Sequence, residues 1–352
     1  MRQFYGKSTT SDLKQAISGL RNPQLLILMT GADRFEEHVK QLEELYPGVP
    51  SIGCIGMSYD SSKVNEQGVA VIAFTDGVEA VANVIENVSD MPVKYIGRLE
   101  EDIKKIRPGR EDTVCIDLCS GNDACVLTTI FGSLKKNNIC LMGGTGDQGK
   151  VSVNGKIYPN ADAYALVKNL GGKVKVYKEN IYRPVEGTRF VASKTDRAKY
   201  YVGELNGRPA KQVYMEKCGI KESEFASQTF KNPLGKFNGK DICIISIKGA
   251  SGSGFNCYRQ VNDSDVLTLL QLKDINEIVE ETMEQIHRDF AHPSAVFSIN
   301  CAFRHLLFTE KGIMNHYLDT MSKLGNHCGY VGYGEHYNNQ FVNQSMTCVV
   351  FQ

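Results

Sequence analysis

Apolar and polar residues alternate along the chain in a pattern that predicts buried strands and amphipathic helices in succession. Short apolar runs such as residues 24–29 are typical of buried strands, and apolar residues at helical spacing, as in 34–46, follow them. Residues 1–22 carry apolar positions on one helical face behind Thr10 and Ser11, two potential caps. We therefore predict an N-terminal amphipathic helix ahead of the first strand.

The same order of elements occurs three times: a strand, a helix, a glycine-rich strand end and a closing apolar strand. The copies span residues 24–74, 113–168 and 295–351. Such self-similarity indicates duplication of a βαββ-like unit. The predicted fold class is α+β, with β-sheets covered by helices in two packed domains. A polar run places the predicted domains at residues 1–195 and 196–352.

Charge and composition narrow the classes of partner. The 352 residues include 40 basic and 40 acidic side chains, so the formal net charge is zero. This balance argues against a nucleic-acid partner. No apolar run approaches the roughly 18 residues that a membrane span requires, so no membrane insertion is predicted. The 11 cysteines, several inside apolar strands, and a polar N-terminus without a signal peptide predict a reducing cytoplasmic location.

The last copy carries the residues that most resemble a ligand pocket. Strand ends and glycine turns there are expected to gather Cys301, Arg304, Tyr333, Glu335 and Asn343. Arg304 offers a planar fork for a carboxylate, which lysine would not reproduce. Glu335 could bind an ammonium group, and Tyr333 could close the pocket. The alternative is that Arg304 and Glu335 form an ordinary structural ion pair.

Two glycine-rich loops also follow predicted strands. The backbone amides of residues 143–146 could bind an anion in a concave turn. Residues 144–149 formally match G-x-G-x-x-G, but a dinucleotide site requires a helix to begin there. Residues 150–157 instead alternate like a strand, with a turn at Asn154-Gly155. We therefore reject a dinucleotide site.

Histidine and cysteine residues near the C-terminus leave two further alternatives open. Their density suggests a metal or haem site, although no pair has firm ligand spacing, and no metal is predicted. Cys301 beside His305 could act as a nucleophile, but no orienting group or oxyanion site is identifiable, so an enzyme is not predicted. The residues concerned are His305, His316, His327, Cys328 and His336.

Six motifs occur in a specific order along the chain. They are Ile52-Gly53-Cys54, the loop from Gly143-Gly144 to Asp147, the turn from Leu205 to Ala210, Cys301 to Arg304, Tyr333-Gly334-Glu335, and Asn343. Together they resemble the I-G-C, G-G-x-x-G-D, D-G-x-P-A, C-x-x-R, Y-G-E and final-asparagine motifs of the FIST family. That family comprises paired N- and C-terminal sensory domains of bacterial signal-transduction proteins. The resemblance covers about residues 24–351.

The resemblance implies a small-molecule sensor, with an amino acid or a similar small carboxylate as the ligand. Some members of the family bind haem and sense nitric oxide, which makes haem the alternative cofactor; otherwise none is expected. No kinase, methyl-accepting or cyclase output domain is recognised, so a signalling protein partner is expected. The implied ligand-binding residues are Cys54, Gly143, Gly144, Asp147, Cys301, Arg304, Tyr333, Glu335 and Asn343.

Overall fold

The structure is a computed structural model that describes residues 1–121, 123–239 and 241–352. The chain divides into two units, each with its own core, and the second is inserted into the first. The first unit comprises residues 1–179, 279–341 and 345–352, and the second comprises residues 180–278 and 342–344.

The first unit contains three successive groups of strands and helices. The first group is β1 (Gln3–Ser8), α1 (Leu13–Ala16), β2 (Leu25–Thr30), α2 (Phe35–Leu45), β3 (Ser51–Ile55), β4 (Ser58–Asp60), β5 (Val64–Asn65), β6 (Val69–Phe74) and β7 (Val78–Glu86). The second is α3 (Ile96–Ile106), β8 (Thr113–Cys119), α4 (Asp123–Lys136), β9 (Cys140–Thr145), β10 (Asp147–Val153), β11 (Lys156–Pro159), β12 (Ala161–Asn169) and β13 (Val174–Asn180).

The inserted unit and the third group complete the chain. The insert holds β14 (Tyr182–Pro184), β15 (Phe190–Asp196), β16 (Tyr201–Leu205), β17 (Arg208–Pro209), α5 (Ala210–Cys218), α6 (Phe225–Gln228), β18 (Leu234–Asn238), β19 (Asp241–Ile245), β20 (Ile247–Ser251), β21 (Gly254–Cys257) and β22 (Val266–Leu272). The third group is α7 (Ile275–Asp289), β23 (Ala295–Cys301), α8 (Ala302–Glu310), α9 (Met314–Ser322), β24 (His327–Gly332), β25 (Glu335–Tyr337), β26 (Gln340–Val342) and β27 (Ser345–Phe351).

The three groups build three six-stranded sheets with the same strand order. The orders are β1-β6-β2-β3-β10-β11, β7-β12-β8-β9-β25-β26 and β13-β27-β23-β24-β4-β5. In each sheet a central strand pairs in parallel with the strand that follows its helix, and antiparallel with the closing strand. The predicted threefold repetition and the α+β fold class are therefore confirmed.

Each copy also lends strands to the other two. The hairpin β4–β5 follows β3 in sequence but pairs with β24 in the third sheet. In the same way β10–β11 completes the first sheet, and β25 completes the second. Apolar residues on the inner faces of all three sheets, including Ile27, Ile116 and Phe297, form one continuous core. The exchange and the shared core make the three copies a single cooperative unit.

A glycine on the third strand from one edge recurs at the same place in every sheet. Gly53, Gly143 and Gly329 each lie between two register partners on neighbouring strands. A methyl group at Gly143 would lie 1.7 Å from Asp117 Oδ1, and one at Gly329 would lie 2.6 Å from Tyr59 Oη. Side chains from the two flanking strands meet over the glycine, so no larger residue fits there.

The inserted unit is a nine-stranded sheet with its own core. Its main strand order is β19-β18-β22-β15-β16-β21-β20, with β14 paired to β22 and β17 to β16. Tyr214, Phe225 and Phe255 pack together where α5 and α6 cover the sheet. The predicted domain boundary at residues 195 and 196 lies in β15, whose Asp196 pairs with Tyr201 of β16. The two domain ranges stay a prediction.

The predicted N-terminal helix over residues 1–22 is wrong. Residues 3–8 instead form β1, which pairs antiparallel with β6 from Gln3–Phe74 to Ser8–Val69. Ser11 has a positive φ of 58°, and Asp12 caps only the single turn of α1. A long-range strand partner therefore overrides the local helical spacing. Across the described residues, no helix combines the length and apolar character that a membrane span requires.

We expect Gly143→Ala to lower the free energy of unfolding by at least about 2 kcal/mol, because the new methyl group would overlap Asp117 in a close-packed interior. Urea unfolding measures this change. The matched control is Gly132→Ala in α4, where nothing lies within 4 Å of the new group. It should stabilise by up to about 1 kcal/mol through helix propensity. Equal effects of the two substitutions would contradict the proposed role of Gly143.

Candidate functional site

Arg304 lies at the carboxyl end of β23, in the first turn of α8, and is fully buried. Its Nη2 atom forms an ion pair with Glu179 of β13. The guanidinium carbon is 4.6 Å from the ring centroid of Phe308 and 5.0 Å from that of Tyr317. Burial opposes the charge, but the Glu179 carboxylate raises the pKa of Arg304 above its ordinary value. The expectation that Arg304 meets Glu335 is therefore wrong.

Several polar atoms around this ion pair have no partner among the described residues. They are Nε and Nη1 of Arg304, Oε2 of Glu179 and the hydroxyl of Tyr317. Buried polar groups are nearly always hydrogen-bonded, and a buried ion pair is stable only when its remaining donors and acceptors are satisfied. This cluster can therefore accept hydrogen bonds from one group and donate them to another, as an interior polar ligand would require.

A surface pocket of about 250 Å³ is built by the same elements. Its polar lining includes Lys63, Glu66, His305 and Asn315, from the β5 region, α8 and the α8–α9 junction. Val64, which also lines it, pairs with Tyr59 of β4, and Tyr59 in turn contributes to the electrostatic surroundings of Arg304. We call this cavity the α8–α9 pocket. Its volume is below the 300–1,000 Å³ typical of drug-sized ligands, and suits a smaller molecule.

Glu335 lies in the second sheet rather than beside Arg304. It is fully buried, in register with Gly144, and accepts hydrogen bonds from Ser345 Oγ at 2.8 Å and from the Cys301 thiol. Burial raises the pKa of Glu335 from 4.5 to about 8, against the hydrogen bonds that favour its charge. The structure thus brings Cys301 and Glu335 together, as the sequence predicted, but as an enclosed pair.

The glycine-rich loop does not form the expected anion-binding concavity. Gly143 and Gly144 lie inside β9, between β8 and β25. The next two amides are also used, since Thr145 N–H donates to Gly334 O and Gly146 N–H to Cys119 O, both at 2.9 Å. The loop continues into the β10–β11 hairpin, so no helix begins there and the rejection of a dinucleotide site is confirmed.

The remaining predicted residues fall in three places. Tyr333 is half exposed, and its hydroxyl lies 3.4 Å from Asp147 Oδ2 at the end of the second sheet. Cys54 is buried beneath Gly146, with its thiol 3.4 Å from Met29 Sδ, and burial raises its pKa. Asn343 belongs to the other unit. The nine predicted residues therefore do not form one pocket.

Sequence reasoning missed a buried charged cluster on the helix-covered face of the second sheet. His336 Nδ1 lies 2.5 Å from Asp117 Oδ2, and its Nε2 is 3.7 Å from Asp123. Burial opposes the imidazolium, but Asp117 raises the pKa of His336 well above its ordinary value. Burial and the neighbouring Asp117 also raise the pKa of Asp162. A charged residue inside the otherwise apolar run 113–119 was the available signal.

The alternative chemistries find little geometric support. Cys301 bonds to Glu335, whereas His305 lines the α8–α9 pocket, where burial lowers its pKa. Among the described histidines, His327 bonds to Ser298 and His336 to Asp117. The α8–α9 pocket is too small for haem. No group of three or more His, Cys, Asp or Glu among the described residues could hold a metal ion.

Sequence profiles place the chain among known proteins. The profile of the FIST N domain matches residues 24–208, and that of the FIST C domain matches residues 210–338. The chain therefore belongs to the FIST family, as its motifs indicated. Domains of this family are associated with sensing in signal transduction. No curated protein matches the chain in sequence.

The buried carboxyl group of Glu335 predicts a pH dependence of stability. Its pKa is higher in the folded protein than in the unfolded chain, so its contribution is complete below about pH 4.5 and is lost as the pH rises to about 8. Urea unfolding at several pH values should show a decline of at most about 1.4 kcal/mol per pH unit from this group. Glu335→Gln should remove that decline, whereas the exposed Glu79→Gln should keep it. Identical profiles for all three proteins would contradict the buried neutral acid.

Proposed function

We propose that this protein is a sensory protein that binds an amino acid or a similar small carboxylate near the α8–α9 pocket, with Arg304 as the carboxylate partner. One observation carries the proposal. The buried guanidinium retains two nitrogens, Nε and Nη1, without a partner among the described residues. A planar fork with unused donors is the geometry that binds a carboxylate through two parallel hydrogen bonds.

The neighbouring groups complement the rest of an amino acid. Glu179 Oε2 and the Tyr317 hydroxyl are buried acceptors that suit an ammonium group. Lys63 and Glu66 give the pocket lining one charge of each sign, and the lowered pKa of His305 keeps its imidazole neutral at pH 7. A zwitterion therefore adds no net charge to the site, which limits the cost of burying it.

Binding of this kind supports a sensory role rather than catalysis. A ligand that bonds to Arg304 and Glu179 would exchange part of one buried ion pair for another, and so would change the balance between two arrangements of α8 and β13. The signal would then pass to a signalling partner protein. This scheme uses no general base and no nucleophile, in agreement with the enclosed position of Cys301.

A thermal-shift screen with amino acids and small carboxylates tests the proposal. A ligand at 100 times its Kd should stabilise the protein by about 2.7 kcal/mol, which raises Tm by several degrees. Arg304→Lys keeps a charge opposite Glu179 but removes the fork, and should abolish the shift. The matched control is Arg2→Lys, at a side chain that is 82% exposed, which should keep it.

A second variant separates binding from folding. Replacing both charges, in Arg304→Met with Glu179→Leu, substitutes apolar side chains of similar volume for the ion pair and should leave the protein folded. It should show no ligand response. The proposal fails if no amino acid or small carboxylate raises Tm of the unmodified protein, or if either Arg304 variant responds as strongly as the control.

A further inference from the structure

The carboxyl ends of the parallel strands β8 and β9 carry a second polar site, formed by other residues than the α8–α9 pocket. Thr145, at the end of β9, donates a 2.8 Å hydrogen bond from Oγ1 to Asp123, the first residue of α4. Asp123 in turn lies 3.7 Å from the Nε2 atom of buried His336. Crevices outside the carboxyl ends of parallel strands are where α/β sheets bind ligands.

The surface of this site consists of two carboxylates and an aromatic ring. The Tyr333 backbone N–H donates to Thr145 O at 2.8 Å, which holds Tyr333 over the strand end that also anchors Asp123. The Tyr333 side chain is 49% exposed and its hydroxyl points to Asp147. Asp123 and Asp147 are partly exposed. An accessible ring face beside carboxylates is the usual recognition geometry for an organic cation.

A buried carboxyl group lies behind these residues. Asp162 is fully buried, and among the described residues neither of its oxygens has a hydrogen-bond donor. Its charge environment is set by Asp117, His336 and Asp123, so it faces the same cluster. Burial and the adjacent Asp117 raise its pKa well above the ordinary value. A carboxyl without a donor at this depth is costly, and a cationic donor would relieve that cost.

We propose that this acidic edge, formed by Asp117, Asp123, Asp147, Asp162, Tyr333 and His336, binds a primary ammonium group. The group could belong to a free alkylamine or to a lysine side chain of a partner protein. Four carboxyl groups face one imidazole, so the edge favours a cation, and the Tyr333 ring covers its alkyl chain. A metal ion fits less well, since no three of the described carboxylate, imidazole or thiol groups converge on one point.

This proposal is independent of the carboxylate sensor. The acidic edge lies on the second sheet and selects positive charge, whereas Arg304 is reached from the helices over the third sheet. Failure of one site therefore leaves the other untouched. A ligand carrying amino groups but no carboxylate should bind only at the acidic edge.

Titration calorimetry of the full chain with 1,4-diaminobutane tests the proposal. We expect binding that weakens as salt is raised from low to physiological concentration, because part of the site is exposed. Asp147→Asn keeps the hydrogen bond from Gln148 N–H and should weaken binding at least tenfold, as should Tyr333→Ala. The control Asp90→Asn removes an exposed charge from the same unit and should bind as the unmodified protein does.

Two further arms identify the source and the buried partner. Nα-acetyl-lysine methylamide should bind as tightly as the diamine if the site takes a lysine side chain, and more weakly if it takes a free amine. Calorimetry in two buffers of different ionisation enthalpy should detect a proton released from Asp162, and Asp162→Asn should release none. The proposal is overturned if neither amine binds at millimolar concentration, if Mg²⁺ binds in their place, or if Asp90→Asn weakens binding as much as Asp147→Asn.

Discussion

The first unit depends on one steric constraint, which is that side chains from two strands meet over a glycine on the strand between them. Over Gly143 the pair is Asp117 and His336, and over Gly329 it is Ser298 and Tyr59, whose hydroxyls are 2.8 Å apart. In both cases the outer strand comes from a different repeat. The glycine therefore lets a polar contact join two copies that the chain does not connect locally, and this fixes the exchanged hairpins in register.

Equivalent positions in the repeats have diverged into opposite chemistries. In the second sheet the pair over the glycine belongs to an acidic cluster with a single imidazole. In the third sheet the corresponding Tyr59 lies in the surroundings of the Arg304–Glu179 ion pair. Both clusters occupy the helix-covered face at the carboxyl ends of parallel strands. The repeated framework thus positions two polar sites of different charge without any change in backbone order.

The sequence predicted local elements well and long-range pairing poorly. Helix α5 was predictable, since Pro209 precedes it and Gly219 ends it with a φ of 66°, and the three repeats follow from apolar periodicity. The meeting of Arg304 and Glu335 was not, because β25 crosses to the second sheet while α8 stays on the third. Strand β1 was missed for the same reason. Its partner β6 lies about sixty residues away, and local spacing carries no record of it.

The exchange of strands has a consequence for biosynthesis. The hairpin β4–β5 is made early, but its partner β24 begins only at His327, near the end of translation. Until then the nascent chain exposes an unpaired edge, which is prone to intermolecular pairing. The closing contacts are also highly non-local, and such topologies fold slowly. The emerging polypeptide must therefore remain incomplete, and in need of protection from aggregation, until the ribosome has almost finished.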